Sequence, residues 1–491
     1  MAGWRRLPKA KVHTRRRSTI PLLFDGAESD HRYIVRSPSG EHLHDVCALK
    51  DARLVDKVCE SSWDGFLSWR KMPVKEKTEI YSNLAAQLTS LKDEYIQAHL
   101  EIGVPGWMSG FNFQGFLDNV NQYKALLTTR AAGVVPVQNM DMQHQNDLSM
   151  VVQEPVGPVL SIAPWNAPGI LAARSVLAPL TAGCSVIVKS SDLSARISYL
   201  TVKAFHEAGV PANAVSLVHC EADHAQQLVD ALIAHRRVRK VNFTGSTQVG
   251  SSIAAVAGKH LKPVLLELGG KNCSVITKDV ADLETAVRTS LWASWAHKGQ
   301  ICMCTDWIFV DESIQTKAFE YISRIGSEMI SNDADLEIPQ RTTNHALNAK
   351  NLVQDALEKG ATLLAGTPDF SATSKFQPVV LANVTPAMKV YSTETFAPIV
   401  CVGTYNTTNE VVNTINDLDH GLKCSIWSSN HLQAYHLAGQ IDAGSVHINS
   451  PTVMDEAHLP HGGVNKSGYG RFNSHWGVQE FSYPKLVTLR E

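Results

Sequence analysis

Across residues 52–100 the apolar positions Ile80, Leu84, Leu88, Leu91 and Tyr95 recur at steps of three and four residues, forming one stripe of an amphipathic helical region. Pro105-Gly106 interrupts the pattern, and a second helical stretch of mixed character spans about 111–128. From 133 to 151 the chain turns polar and strand-like, with the texture of an arm rather than a core. After Val151, short apolar runs at about 157–163, 184–189, 214–219, 239–244 and 263–267 alternate with amphipathic stretches. Repeats of roughly 25 to 30 residues of this kind predict βαβ units and a parallel sheet, placing the chain in the α/β class. A second α/β region is expected further on, with strands at 307–310, 398–402 and 445–449 and helices near 315–330 and 344–359. The terminal run 485–489 is strand-like and suited to pair with the polar arm, within or between subunits.

Ligands of parallel sheets bind at the carboxyl ends of the strands. Polar residues follow four of the predicted strands there: Asn166, Lys189, Ser246 and Glu267. The segment Phe243-Thr-Gly-Ser-Thr-Gln-Val-Gly250 leads from a strand into a helix, where backbone N–H groups and the Ser246 hydroxyl suit a pyrophosphate. It lacks the Gly-x-Gly-x-x-Gly spacing of the common dinucleotide fingerprint, and a Gly-Ser turn by itself is more often a helix cap. Glu267 ends an apolar run and is followed by Leu-Gly-Gly, a buried strand running into a tight turn. Cys302 sits in the glycine-containing loop Lys298-Gly-Gln-Ile-Cys-Met-Cys-Thr305. A thiolate that attacks a carbonyl and a carboxylate that activates water are matched partners for acyl chemistry. The pair alone is weak, since a single Cys is usually a small buried hydrophobe and a single Glu a solvated one.

With 491 residues and 44% hydrophobic content the chain is long enough for two or three domains. A net charge of -2 gives no global field toward nucleic acid or an acidic membrane, so a small-molecule partner is expected. Nine cysteines, an odd number without paired spacing apart from Cys302 and Cys304, point to a reducing compartment and to neither a disulfide framework nor a metal site. No apolar run approaches the ~20 residues of a membrane span, and no secretory signal is present. The head carries Arg5, Arg6, Lys9, Lys11, Arg15, Arg16 and Arg17 before the first acid, Asp25. It reads as a solvated basic tail on a cytoplasmic protein, with a mitochondrial transit peptide as the alternative.

Read together, Pro164-Trp-Asn-Ala-Pro168, Val188-Lys189, Phe243-Thr-Gly-Ser246 with Gly250, Glu267-Leu-Gly-Gly270, Gly299-Gln-Ile-Cys302, Glu394-Thr-Phe396, and Gly462-Gly463 with Ser467-Gly468 stand in the order of motifs in the aldehyde dehydrogenase superfamily, which the chain resembles from about Ser18 onward. The resemblance implies a Rossmann-type parallel-sheet NAD(P)-binding domain at 18–130 and 150–265. It also implies an α/β catalytic domain at 266–476 and a small β oligomerisation arm at 131–149 and 477–491 that builds homodimers or homotetramers, leaving 1–17 as a basic extension. It assigns Cys302 as nucleophile, Asn166 with the Cys302 backbone N–H as oxyanion donors, and Glu267 as the base for thioester hydrolysis. Trp165, Lys189, Asp192, Gly245, Ser246, Gly250, Glu394 and Phe396 correspond to cofactor-binding positions. Asp192, where the family has Glu, favours NAD, with NADP possible.

The wording of Pro164-Trp-Asn-Ala-Pro and of Thr452-Val-Met-Asp-Glu-Ala457 is similar to salicylaldehyde and vanillin dehydrogenases, which implies an aromatic aldehyde substrate. Ala167, where a large aromatic is common, and His461, in place of the Phe of Pro-Phe-Gly-Gly, are expected at the substrate pocket. Two rival readings remain: a binding protein on the same fold without turnover, against which the joint presence of Cys302, Glu267 and Asn166 argues, and a CoA-acylating enzyme, against which a base for water argues.

Overall fold

The structure is a computed structural model that describes residues 18–129, 133–136, 148–332, 339–368, 370 and 375–489. The basic head at 1–17 and most of the polar arm, 137–147, lie outside the described residues.

The helical stripe at the start resolves into Ala52–Trp69, Val74–Ser90 and Lys92–Glu101, followed by Gly106–Leu126. Ile80, Leu84, Leu88 and Tyr95 are all buried, in the same cluster as Phe116, Tyr123 and Leu177. Leu91 of the predicted stripe instead forms the joint between two helices.

A six-stranded sheet runs Gly468–Tyr469, Val264–Glu267, Lys240–Thr244, Val159–Ile162, Val186–Lys189, Val215–Val218. Every neighbouring pair is parallel except the first, where Glu267 lies opposite Gly468. Val159–Ile162, Lys240–Thr244 and the edge strand Val215–Val218 are short and buried throughout, the signature of a sheet covered on both faces. The chain goes from Val159–Ile162 outward through two strands, then returns to the other side with Lys240–Thr244. The order therefore reverses beside Val159–Ile162, and the crevice of such a sheet opens at the carboxyl ends there. The helix Pro168–Ala182 that leaves this point is buried at every position, starts on Pro168 and stops at Gly183 in the left-handed region (φ 101).

A seven-stranded sheet, with one antiparallel edge, is centred on Thr305–Asp311, which lies between Ile399–Tyr405 and Asn272–Ile276, with Lys423–Trp427 beyond the latter. Asn272–Ile276 and Lys423–Trp427 each open on a polar residue, which hid them from the apolar pattern. A third, antiparallel sheet joins Ser482–Leu489 to Leu148–Pro155 and Gly133–Pro136 within one chain. Its middle strand runs on to Pro155, past the expected end of the arm.

Candidate active site

Two turns bring the chemistry together. The strand Val264–Glu267 ends in Glu267, and Leu268-Gly-Gly then swings into the second sheet. In the other turn, His297, Lys298 and Gly299 all take positive φ (48, 60 and 73), a costly run for the two non-glycine residues. It is held by the Lys298 ammonium, which donates to the Pro339 carbonyl at 2.7 Å. A side chain at Gly299 would collide with the Ala397 carbonyl. Past this kink the loop presents Cys302 to Glu267, and Sγ donates to Oε1 at 2.9 Å. The loop's carbonyls are tied from both sides: Asn166 Nδ2 donates to Gln300 O at 3.0 Å, and Asn272 Nδ2 to the Cys302 and Cys304 carbonyls at 2.8 Å each. Cys304 points away, its thiol 3.5 Å from Ala296 O.

Glu267 has no solvent exposure, which by itself would raise its pKa. The Arg174 guanidinium, helped by the Cys302 thiol, outweighs burial and holds the carboxyl far below the usual range, at about 2. Arg174 (2% exposed) donates from one terminal nitrogen to Glu267 Oε2 at 3.0 Å and from the other to Asp455 Oδ2 at 2.9 Å, its guanidinium lying 5.1 Å from the Phe472 ring centre. His461 faces the same two acids, Nε2 being 3.3 Å from Glu267 Oε1 and Nδ1 3.5 Å from Asp455 Oδ1. Burial and the neighbouring carboxylate push the Cys302 thiol well above its ordinary value. The resting pair is therefore a thiol bonded to a carboxylate.

Two cavities meet at Asn166, Leu171 and Cys302. One, of about 270 Å³, is lined by Trp165, Gly245, Ser246, Glu394 and Phe396. Trp165 stacks on His345 with centroids 5.4 Å apart and meets Phe396 edge-on at 6.0 Å, and Phe396 sits at φ 46. His345 belongs to this wall although no motif marks it. Glu394 lies against the Gly269-Gly270 backbone, where a Cβ on Gly269 would fall on its carboxylate, and accepts from Gly270 N–H at 3.3 Å. Burial, reinforced by Asp306, raises it to about 8. At the other end Ser246 caps the helix Thr247–Lys259, whose exposed first turn leaves amide N–H groups for an anion. An anion cradle, an apolar-walled slot and a buried acceptor suit the pyrophosphate, nicotinamide and ribose of NAD(P). Gly250 is different: it lets the helix pack on Leu268. Lys189 and Asp192 do not line this cavity. Lys189 ends its strand, and Asp192 lines an outer cleft with Tyr33 and Arg341.

The second cavity, about 390 Å³, is walled by Trp107, Phe111, Trp292 and Met303, with Ala167 among its lining and Arg174 and Asp455 as its charged groups. His461 lines neither cavity. Its expected place at the substrate pocket is corrected: the strand-like pairing of His461 with Phe472 turns it behind Glu267, where it is 1% exposed. Nothing in the sequence pattern marks Arg174, Asp455 and His461 as one cluster. Arg174 lies on a helix buried all round, without the polar face that would flag it, and its partners Glu267 and Asp455 lie 93 and 281 residues further along the chain.

The sequence matches the Aldehyde dehydrogenase family over residues 25–487. The chain belongs to the aldehyde dehydrogenase family. It is 34% identical to vanillin dehydrogenase of Pseudomonas fluorescens over 485 residues, 96% of this chain and 98% of that one. Its fold superposes with TM-score 0.91 on a salicylaldehyde dehydrogenase from Pseudomonas putida G7 complexed with salicylaldehyde, at 29% identity, covering 97% and 99% of the two chains. A 3-sulfolactaldehyde dehydrogenase of Pseudomonas putida is 29% identical over 96% of each chain. This aldehyde dehydrogenase is thus an NAD(P)-dependent oxidoreductase that oxidises an aldehyde, while its relatives differ in which one. Among the described residues no helix is long and apolar enough to cross a membrane.

Proposed function

We propose that the enzyme oxidises an aromatic aldehyde of the salicylaldehyde, vanillin or benzaldehyde type to its carboxylic acid. The observation that carries this is the cavity beside Cys302, whose walls are Trp107, Phe111 and Trp292. Flat rings pack well between such side chains. Its polar end holds one guanidinium and, counting Glu267, two carboxylates, a net negative set already paired among itself. An aldehyde carrying its own carboxylate or sulfonate would meet repulsion there rather than a free cation.

Cys302 attacks the aldehyde carbon once its thiol proton has left to solvent in the cavities it lines, which frees the Glu267 carboxylate from the 2.9 Å contact for the later step. Asn166 spends one N–H on Gln300 O and has a second for the oxyanion of the thiohemiacetal. NAD(P), when bound, supplies the hydride acceptor for collapse of this adduct. Glu267 then takes a proton from the water that hydrolyses the Cys302 thioester. Trp165, Gly245, Ser246, Glu394 and Phe396 hold the cofactor, and Lys189 and Asp192 lie toward its adenosine end. The Asp192 carboxylate accepts from a ribose hydroxyl and repels a 2′-phosphate, so NAD is preferred over NADP. Assembly as a homodimer or homotetramer and a cytoplasmic location complete the reading. The mitochondrial alternative draws no support from the bacterial relatives.

Steady-state kcat/KM with NAD and with NADP across acetaldehyde, hexanal, succinate semialdehyde, benzaldehyde, salicylaldehyde and vanillin tests it. The aromatic members should exceed the others by at least tenfold. A clear lead for an aliphatic or anionic aldehyde would remove the aromatic assignment.

A further inference from the structure

Glu267 borders the cavity beside Cys302 but has no solvent exposure, and as base it must lose the proton it takes from water before it can act again. Its neighbours decide where that proton goes. Arg174 holds Oε2 and carries only donors, so it cannot accept. The Cys302 sulfur is occupied by the acyl group at that stage. Among the described residues that act on this carboxylate, the one left to accept is the His461 imidazole, 3.3 Å from Oε1.

His461 stands between two carboxylates, with Nε2 toward Glu267 and Nδ1 toward Asp455, and neither contact has the geometry of a good hydrogen bond. A neutral imidazole has one N–H and one lone pair, so it can satisfy one acid and must turn its lone pair on the other. A protonated imidazole satisfies both. Counted as Glu267, Asp455, Arg174 and neutral His461, the cluster carries a net single negative charge, and one added proton neutralises it. The other ionisable groups around the cluster, on neighbouring strands, are His447, which faces His461 and Asp455, and Lys423, which faces Asp455 and Glu267. Burial keeps the pKa of His461 below its ordinary value, so it rests neutral and able to accept.

Beyond His461 the route continues. Asp455 is 10% exposed and lines both the apolar cavity and a polar one of about 590 Å³, which is also lined by Gln114, Asp118, Glu456 and His458. Asn473, held at φ 67, donates to Asp455 Oδ1 at 2.8 Å and keeps it aimed. We propose that His461 receives the proton Glu267 takes from the hydrolytic water and passes it through Asp455 to the polar cavity, restoring the Glu267 carboxylate in each turnover. In balance, water oxygen bonds to the thioester carbon as one water proton moves to Glu267 and on to His461. The C–S bond then breaks, and the second water proton passes from the nascent acid to the Cys302 sulfur. The carboxylate product leaves, and the relayed proton exits at Asp455. His461 acts through Glu267 and is a positioning residue. The inference rests on the reading of Glu267 as base.

The test uses 4-nitrophenyl benzoate, which acylates Cys302 without cofactor, so that the nitrophenolate burst reports acylation and the following steady rate reports hydrolysis. His461→Phe and His461→Gln should keep the burst and their thermal midpoint while hydrolysis slows ~10- to 100-fold. In His461→Ala, added imidazoles should restore hydrolysis in the order of their basicity, which a packing role would not produce. Glu267→Gln is the control. If it stalls after the burst while His461→Phe hydrolyses at the wild-type rate, the relay is wrong and the base reading stands. If Glu267→Gln hydrolyses normally, the base reading itself fails. Loss of the burst and of thermal stability together in both Phe and Gln variants, without rescue by imidazole, would make His461 a packing residue and overturn the proposal.

Discussion

Cys302 Sγ donates to Glu267 Oε1 across 2.9 Å, while Arg174 grips the other oxygen of the same carboxylate at 3.0 Å. The contact sits where the two cavities join, so on the proposed reading a carbonyl carbon entering from the apolar side meets the Cys302 sulfur, the Asn166 amide and the cofactor slot at one point. Cys304, two residues on, faces a backbone carbonyl away from both cavities.

Cys302→Ala should therefore abolish aldehyde oxidation while NAD(P) binding, followed by fluorescence quenching, stays within about twofold. Cys304→Ala should keep most of the activity. Loss of turnover in Cys304→Ala alone, with Cys302→Ala active, would reverse the assignment of the nucleophile.

Arg174 neutralises two buried acids, and removing one partner of such a set leaves uncompensated charge in the interior. Arg174→Met should cost about 3–5 kcal/mol in denaturant unfolding at pH 7. The sign with pH follows from Glu267, whose pKa falls from 4.5 to about 2 on folding. Its contribution is fully present above 4.5 and is lost as pH drops toward 2. The gap between wild type and Arg174→Met should therefore narrow between pH 7 and pH 3, and an equal gap at both would count against this linkage.

Glu394 is shifted the other way. Burial raises it from 4.5 to about 8, so the cofactor-free enzyme holds it protonated at pH 7, and its contribution to stability declines as pH climbs from 4.5 through 8. Ribose hydroxyls donate best to the ionised form, so NAD(P) binding at pH 7 should expel a proton and tighten as pH rises through 8. Calorimetry in two buffers of different ionisation enthalpy measures the release, which Glu394→Gln should abolish. Buffer-independent enthalpies in the wild type would show that Glu394 does not ionise on binding.

Much of this was legible in the chain. The five strands of 157–267 were read to within a few residues because strands buried on both faces are nearly continuous apolar runs. Glu267 and Cys302 stand out because each lies beside glycines that a tight turn or a close approach requires, as Gly269 under Glu394 and Gly299 under Ala397 make plain. Asn272–Ile276 and Lys423–Trp427 stayed hidden because polar residues begin them, and those residues, Asn272 and Lys423, turn out to be held inside the molecule.

By itself the sequence determined the α/β class, the order of the strands along the chain and the two side chains, Cys302 and Glu267, that the fold brings into contact. Only the tertiary structure decided what surrounds that pair. Local pattern records which face of a strand or helix is buried. Arg174, on a helix with no exposed face, and His461 and Asp455, far along the chain from Glu267, meet it only when the chain closes on itself. Electrostatic coupling depends on distance in space, and separation along the chain carries no record of it.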